Sequence, residues 1–223
     1  AGFLWQTVVF ALAVFLPVSW AWPAAIPGAI CAALLAALCI QAESTPFTAG
    51  ANDNASAVGM VLTLARHFAR APLERTRVLA VITGCEEVQH YGMADFYRRH
   101  RAQLKDPRAI VFEMLGCAGP SWIVKEGIIV PFRPDPTLVA IVEKLAAANP
   151  AWQAYPSSIS GGNTEMDDAV RAGVPAIALG GKTREGVLPY WHQPRDTFDK
   201  MDPAVMARTW DLTLALIREI DQA

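Results

Sequence analysis

Gly50-Ala51-Asn52-Asp53-Asn54-Ala55-Ser56 sets a carboxylate in a tight polar turn, directly before an apolar run of helical period. An acid in that position is either a helix cap or a ligand, because Asp, Asn and Ser are the residues that cap helix N-termini. The ligand reading gains from residues further along the chain: Glu86-Glu87, Glu113 and His192 each stand at the end of an apolar run.

Val78-Leu79-Ala80-Val81-Ile82 leads into Thr83-Gly84-Cys85-Glu86-Glu87, which delivers two adjacent carboxylates at the mouth of an expected buried strand. Neighbouring side chains on an extended backbone point opposite ways, so one acid can hold a metal while the other faces substrate as a general base. A solvated acidic loop is the simpler alternative for a bare Glu-Glu pair. Ile110-Val111-Phe112 runs into Glu113 and on into Met114-Leu115-Gly116, and an acid flanked by apolar residues on both sides needs a partner or a cation.

Of four histidines, His192 in Tyr190-Trp191-His192-Gln193-Pro194-Arg195-Asp196-Thr197 is the best candidate metal ligand. His67 and His100 read as surface residues, while His90, just after the Glu pair, can line a cleft. Asp196 reads as orienting its own turn rather than touching a metal. Four cysteines without CxxC spacing suit neither a disulfide framework nor a structural zinc site, and read as reduced, small buried side chains.

The elements that must position these residues follow from periodicity. Helices are expected over 55–71, 92–103, 136–149, 165–172 and 203–220, and strands over 77–83, 109–114, 122–130, 152–155 and 176–179. Such alternation argues for a layered α/β domain over 43–223, with the candidate residues on loops after strands, where open sheets place ligands.

Residues 1–42 differ in kind. No charged residue occurs between Ala1 and Ala42, which makes the 53% hydrophobic content a local excess. Two apolar spans are expected, over 3–22 and 29–40, broken at 23–27 by Pro23 and Pro27. The first is long enough for a bilayer and the second marginal. The flanks lack Lys and Arg, so charge gives this hairpin no orientation. A net charge of −2 with scattered basic residues offers nucleic acid no basic face.

Taken together the motifs resemble the M28 family of zinc peptidases. Gly50 to Ser56 is similar to the family's G-A-D/N-D-N-A-S. Glu86-Glu87 with Gly92 resembles E-E-x-G-L-x-G, with Gln89 and His90 replacing the Gly-Leu. The strand ending at Glu113 resembles one ending in Asp-Met-x-Gly, and His192 to Thr197 resembles H-T-x-x-D-T. The resemblance implies a three-layer α/β/α fold with a mixed central sheet, preceded here by an apolar helical hairpin.

It also implies a pair of Zn2+ ions bridged by Asp53. Glu87 and His192 complete one site, Glu113 belongs to the other, and Glu86 is the general base. Glu165 stands where the family has an acid near the substrate. Tyr190 is a second substrate-binding candidate, and Asp167 and Asp168 equally suit an ordinary acidic helix N-terminus. The family's His-x-Asp histidine has no counterpart before His67. The expectation is therefore a chain that lacks the family's first strands and forms one good zinc site.

The implied activity is zinc-dependent exopeptidase, most simply aminopeptidase, acting on peptides. The implied location is the membrane, with residues 1–42 in the bilayer and the catalytic domain periplasmic or extracytoplasmic. Two alternatives stand beside it. A glutaminyl-cyclase-like acyltransferase would use one zinc on Asp53, Glu87 and His192, and a non-catalytic membrane protein would keep the fold alone. Retention of both Glu86 and Glu87 argues against the last.

Overall fold

The computed structural model describes residues 2–16 and 18–222; Ala1, Pro17 and Ala223, which fall inside the segments expected from sequence, lie outside them. The chain divides into two compact units, Ala1–Phe47 and Thr48–Ala223.

The first unit is a helical hairpin of α1 (Gly2–Ala13) and α2 (Ala21–Ser44). Trp5 Nε1 donates to the Ala24 carbonyl at 2.7 Å. Gly28 lets the helices approach closely, since a Cβ there would stand 2.1 Å from Gln6 Oε1. The break lies before Ala21 rather than at Pro23 and Pro27, and α2 runs through both prolines. Pro23 falls in the first turn, where its missing N–H has no helical partner, and Pro27 removes one bond from a helix of 24 residues. The expected lengths are therefore reversed. The 12 residues of α1 span about 18 Å at 1.5 Å each, whereas α2 reaches about 36 Å against a hydrocarbon core of about 30 Å. By length and composition, α2 is long and apolar enough to cross a membrane.

The second unit continues through α3 (Ser56–Arg70), α4 (Tyr91–His100), β1 (Ala109–Glu113), β2 (Ser121–Lys125), α5 (Pro136–Ala148), β3 (Tyr155–Ser158), α6 (Met166–Arg171), β4 (Ala176–Gly180) and α7 (Pro203–Gln222). The sheet order is β1-β4-β2-β3. β1 pairs with β4 and β2 with β3 in parallel, while β2 and β4 run antiparallel, so the sheet is mixed as expected.

Strand alternation sorts the core into two faces. Val111, Ile123, Ala176 and Ala178 pack with Met93 and Tyr97 of α4 and Met166 and Ala169 of α6. Trp122, Ile177 and Leu179 pack with α5 and α7, and Ile110 and Phe112 reach α3. The result is a three-layer α/β/α fold. Residues 77–83 depart from expectation: among the described residues they pair with no strand, and Leu79 and Ile82 are half exposed. The apolar run is there, but a strand exists only where a neighbour completes its ladder. The strand expected at 152–155 begins at Tyr155, after a 3₁₀ turn. Cys31, Cys39 and Cys85 are free and exposed rather than buried, and Cys117 is free and half-buried.

The turn at 50–56 is sewn to the end of β1 by its side chains. Asn52 Oδ1 accepts from Gly116 N at 2.8 Å, Asn54 Oδ1 from Met114 N at 3.0 Å and Ser56 Oγ from Leu115 N at 2.9 Å. Asn52 also donates to the Pro189 carbonyl at 3.1 Å and is wholly buried. N52A leaves a buried N–H and a carbonyl without this partner, so it is expected to destabilise by roughly 2–4 kcal/mol, read as a lower denaturant midpoint at unchanged m-value.

A buried acid, Glu126, accepts from Thr164 Oγ1 at 2.9 Å, and Thr164 Oγ1 takes the Met166 N–H at the start of α6. Burial pushes its carboxyl from 4.5 up to about 7, against the lowering effect of the Thr164 bonds. An acid whose folded pKa lies above its unfolded value favours folding while protonated. That contribution is full below about 4.5 and is lost as the pH rises through about 7. E126Q, uncharged throughout, is expected to exceed the parent in stability at pH 8 by on the order of 1–3 kcal/mol. The difference should shrink towards pH 5 in denaturation of metal-free protein; a constant difference across that range would refute it.

Candidate metal centre

Asp53 does not cap α3. Ala55 occupies the N-cap position without a side-chain bond, and Asp53 itself takes φ −112° and ψ 88°, outside the helix. Its backbone is fixed from far away in sequence: the buried Asp196 carboxylate accepts Asn52 N–H at 2.7 Å and Asp53 N–H at 2.9 Å. Asp196 thus orients the turn of Asn52 and Asp53 rather than its own, and both its oxygens are committed to backbone.

With its main chain held, the Asp53 carboxylate faces Glu87 and His192. His192 Nε2 stands 3.0 Å from Glu87 Oε1 and 3.6 Å from Asp53 Oδ2. All three ligand atoms lie within 4.8 Å of one another. Donors around a tetrahedral zinc, at 2.0–2.2 Å from the ion, are about 3.3 Å apart, and imidazole nitrogen and carboxylate oxygen are both zinc donors. The residues fit the ion. Asp53 is 11% exposed, while His192 at 48% and Glu87 at 61% open the cluster to solvent. His192 has a positive φ of 54°, and the Trp191 ring packs on its imidazole with centroids 4.3 Å apart.

The charge around this cluster is one-sided. Burial and then Glu87 raise the Asp53 carboxyl to about 6, against the lowering effect of His192, with Glu86 and Asp196 adding to the rise. Burial raises Glu113 well above its usual range, followed by Asp53, Glu86, Glu165 and Glu87. Glu113 accepts from Asn54 Nδ2 at 3.2 Å but belongs to neither group of potential metal ligands among the described residues. Glu165 precedes α6, bonds Thr83 Oγ1, and is raised by burial and by Glu86. Tyr190 has a positive φ of 61°, and its ring makes no hydrogen bond or ring contact with these side chains. Asp53, Glu86, Glu87, Glu113 and Glu165 thus gather where a cation would relieve them.

The second group of potential ligands is His90 with Asp167 and Asp168. His90 Nδ1 lies 3.0 Å from Asp168 and 3.4 Å from Asp167, and Nε2 lies 3.3 Å from Glu86 Oε1. Contacts with Asp167, Asp168 and Glu86, in that order, push the imidazole up to about 12. The sequence marks these residues only as cleft-lining or acidic candidates. Their joining depends on α6 packing beside the loop at 84–92, for which no local pattern gives a signal.

Three comparisons bear on these features. The family model for Peptidase family M28 matches residues 41–217. Aminopeptidase YwaD of Bacillus subtilis is 25% identical over 179 residues, covering 79% of this chain and 39% of that protein. Among solved structures, the LapA aminopeptidase of Legionella pneumophila gives a TM-score of 0.67 at 17% identity, over 79% of this chain and 47% of that one. BSAP, a zinc aminopeptidase from Bacillus subtilis, gives 0.63 at 19%, over 79% and 44%. Porphyromonas gingivalis glutaminyl cyclase gives 0.59 at 19%, over 79% and 65%. The chain therefore spans less than half the length of each aminopeptidase named. With the family model covering most of its length, this chain belongs to peptidase family M28.

Proposed function

We propose that this chain carries the catalytic centre of a zinc-dependent exopeptidase, an aminopeptidase that removes N-terminal residues from peptides. The observation that carries the reading is the convergence of Asp53, Glu87 and His192 on one point, with Glu86 next in sequence to a ligand. Zinc held by these three would act as a Lewis acid on the scissile carbonyl and make water easier to ionise. Glu86 then accepts the proton of the attacking water and returns it to the leaving amine, so no free charge is stranded on either. Glu165, a half-buried carboxyl that feels the charge of Glu86, suits the free amine of a peptide N-terminus. A second ion sharing Asp53 with Glu113 would bind less tightly, because Glu113 lies outside the three-ligand cluster.

The cluster of Asp53, Glu87 and His192 by itself also suits a one-zinc cyclase, a reading favoured by the similarity in fold to a glutaminyl cyclase. The products separate the two. An aminopeptidase releases a free amino acid from an unblocked peptide, whereas a cyclase releases ammonia from an N-terminal glutamine. The expected result is amino-acid release that is lost on chelation and restored by zinc. E86Q should keep its zinc and lose about 10²–10⁴-fold in kcat; ammonia release alone, or full activity in E86Q, would overturn the assignment.

We also infer that α2 anchors the chain in a lipid bilayer, on the grounds of its length and apolar composition. The chain is expected to stay with membranes through alkaline carbonate extraction, and residues 48–223 alone to be released. Release of both would refute the anchor.

A further inference from the structure

We propose that His90 is a positioning residue for Glu86, tying that carboxylate to Asp167 and Asp168 on α6. The proposal rests on the reading of Glu86 as general base, and nothing in that reading assigns His90 a role.

Among the described residues, His90 is the one side chain within hydrogen-bond or ion-pair distance of the Glu86 carboxylate. A glutamate free of contacts is spread over many rotamers, so a base of this kind without a partner would sample orientations unsuited to proton transfer. The imidazole removes that freedom from one side, at 3.3 Å from Oε1. It is itself only 12% exposed, and its other nitrogen is fixed by Asp168 at 3.0 Å and Asp167 at 3.4 Å.

The far end of this chain of contacts is rigid. Asp167 is 4% exposed, and its Oδ2 takes donors from Asn163 Nδ2 and from Arg171, the latter at 3.3 Å. Met166 and Ala169, on either side of the two aspartates, are fully buried in the core. Orientation therefore runs from the core through α6 and His90 to Glu86.

The near end is built to the same purpose. The loop closes on itself through His90 N to the Glu86 carbonyl at 3.0 Å, Tyr91 N to Cys85 at 3.2 Å and Gly92 N to Gly84 at 3.1 Å. Gly92 is required there, because a Cβ would stand 2.2 Å from the Gly84 oxygen. Gln89 at φ 72° and His90 at φ 53° are consecutive non-glycine residues in the left-handed region. Such conformations persist where the surroundings over-determine them. With Nε2 facing the Glu86 carboxylate as an ion pair and Nδ1 bonded to Asp168, both ring nitrogens meet acceptors, which calls for the doubly protonated imidazole.

Two amides of different reach separate positioning from mere packing. The Gln amide in H90Q extends as far as Nε2 and can donate to Glu86. The Asn amide in H90N reaches only the place of Nδ1, towards Asp168. With zinc content and KM unchanged, H90N is expected to lose about 10–100-fold in kcat, and H90Q to stay within about fivefold of the parent. Equal kcat in the two variants, or an H90N better than H90Q, would overturn the proposal and leave His90 as packing.

A readout independent of activity accompanies it. In the zinc-loaded protein labelled with 15N-histidine, E86Q is expected to move the Nε2 resonance of His90 and D168N that of Nδ1. An Nε2 signal indifferent to E86Q would overturn the contact even in an active enzyme. A parent without hydrolysis, whose Nε2 still responds to E86Q, would support the contact and overturn the reaction assigned to the site.

Discussion

The site depends first on one carboxylate that touches no substrate. Asp196 gives both its oxygens to the backbone N–H groups of Asn52 and Asp53, across more than 140 residues of sequence. Two charge-assisted bonds in a buried setting fix a main-chain segment more firmly than any local turn can. The consequence is geometric. The Asp53 side chain is turned away from the helix that follows it and towards Glu87 and His192, which arrive on separate loops. Asn52, Asn54 and Ser56 complete the arrangement by committing their side chains to the backbone just after β1.

A polar turn fixed so completely can hold acids where repulsion would otherwise scatter them. Asp53 and Glu113 titrate well above ordinary carboxylates because of burial and of one another's neighbours. Crowding of this sort opposes folding in the metal-free chain, and a divalent cation reverses its sign. His90 supplies a smaller version of the same remedy on the far side of Glu86, where Asp167 and Asp168 would otherwise face it across the cleft.

The alternation of apolar residues was enough to place α3, α5, α7, β1 and β4 close to their observed limits, because each buries a continuous face against the core. The motif residues Asp53, Glu87 and His192 were legible too, and the fold brings them together. Failures have a common origin. Residues 77–83 carry the pattern of a strand without a paired neighbour, Pro27 carries the pattern of a break inside a helix that absorbs it, and the cysteines carry a preference for burial that their positions do not provide. In each, the local signal was genuine and the surroundings decided otherwise.

Sequence by itself determined the membership of the chain in a layered α/β class, the identity of the acids and histidine that can hold a metal, and the separate character of the apolar first unit. Those properties follow from residue type and from spacing along one element. Tertiary structure alone decided that Asp196 serves Asn52 and Asp53, that Glu113 stands outside the three-ligand cluster, and that His90 bridges Glu86 to α6. Each of these is a contact between side chains or backbone distant in sequence. Its partner is chosen by how helices settle on the sheet, and no period or motif within a single segment records that choice.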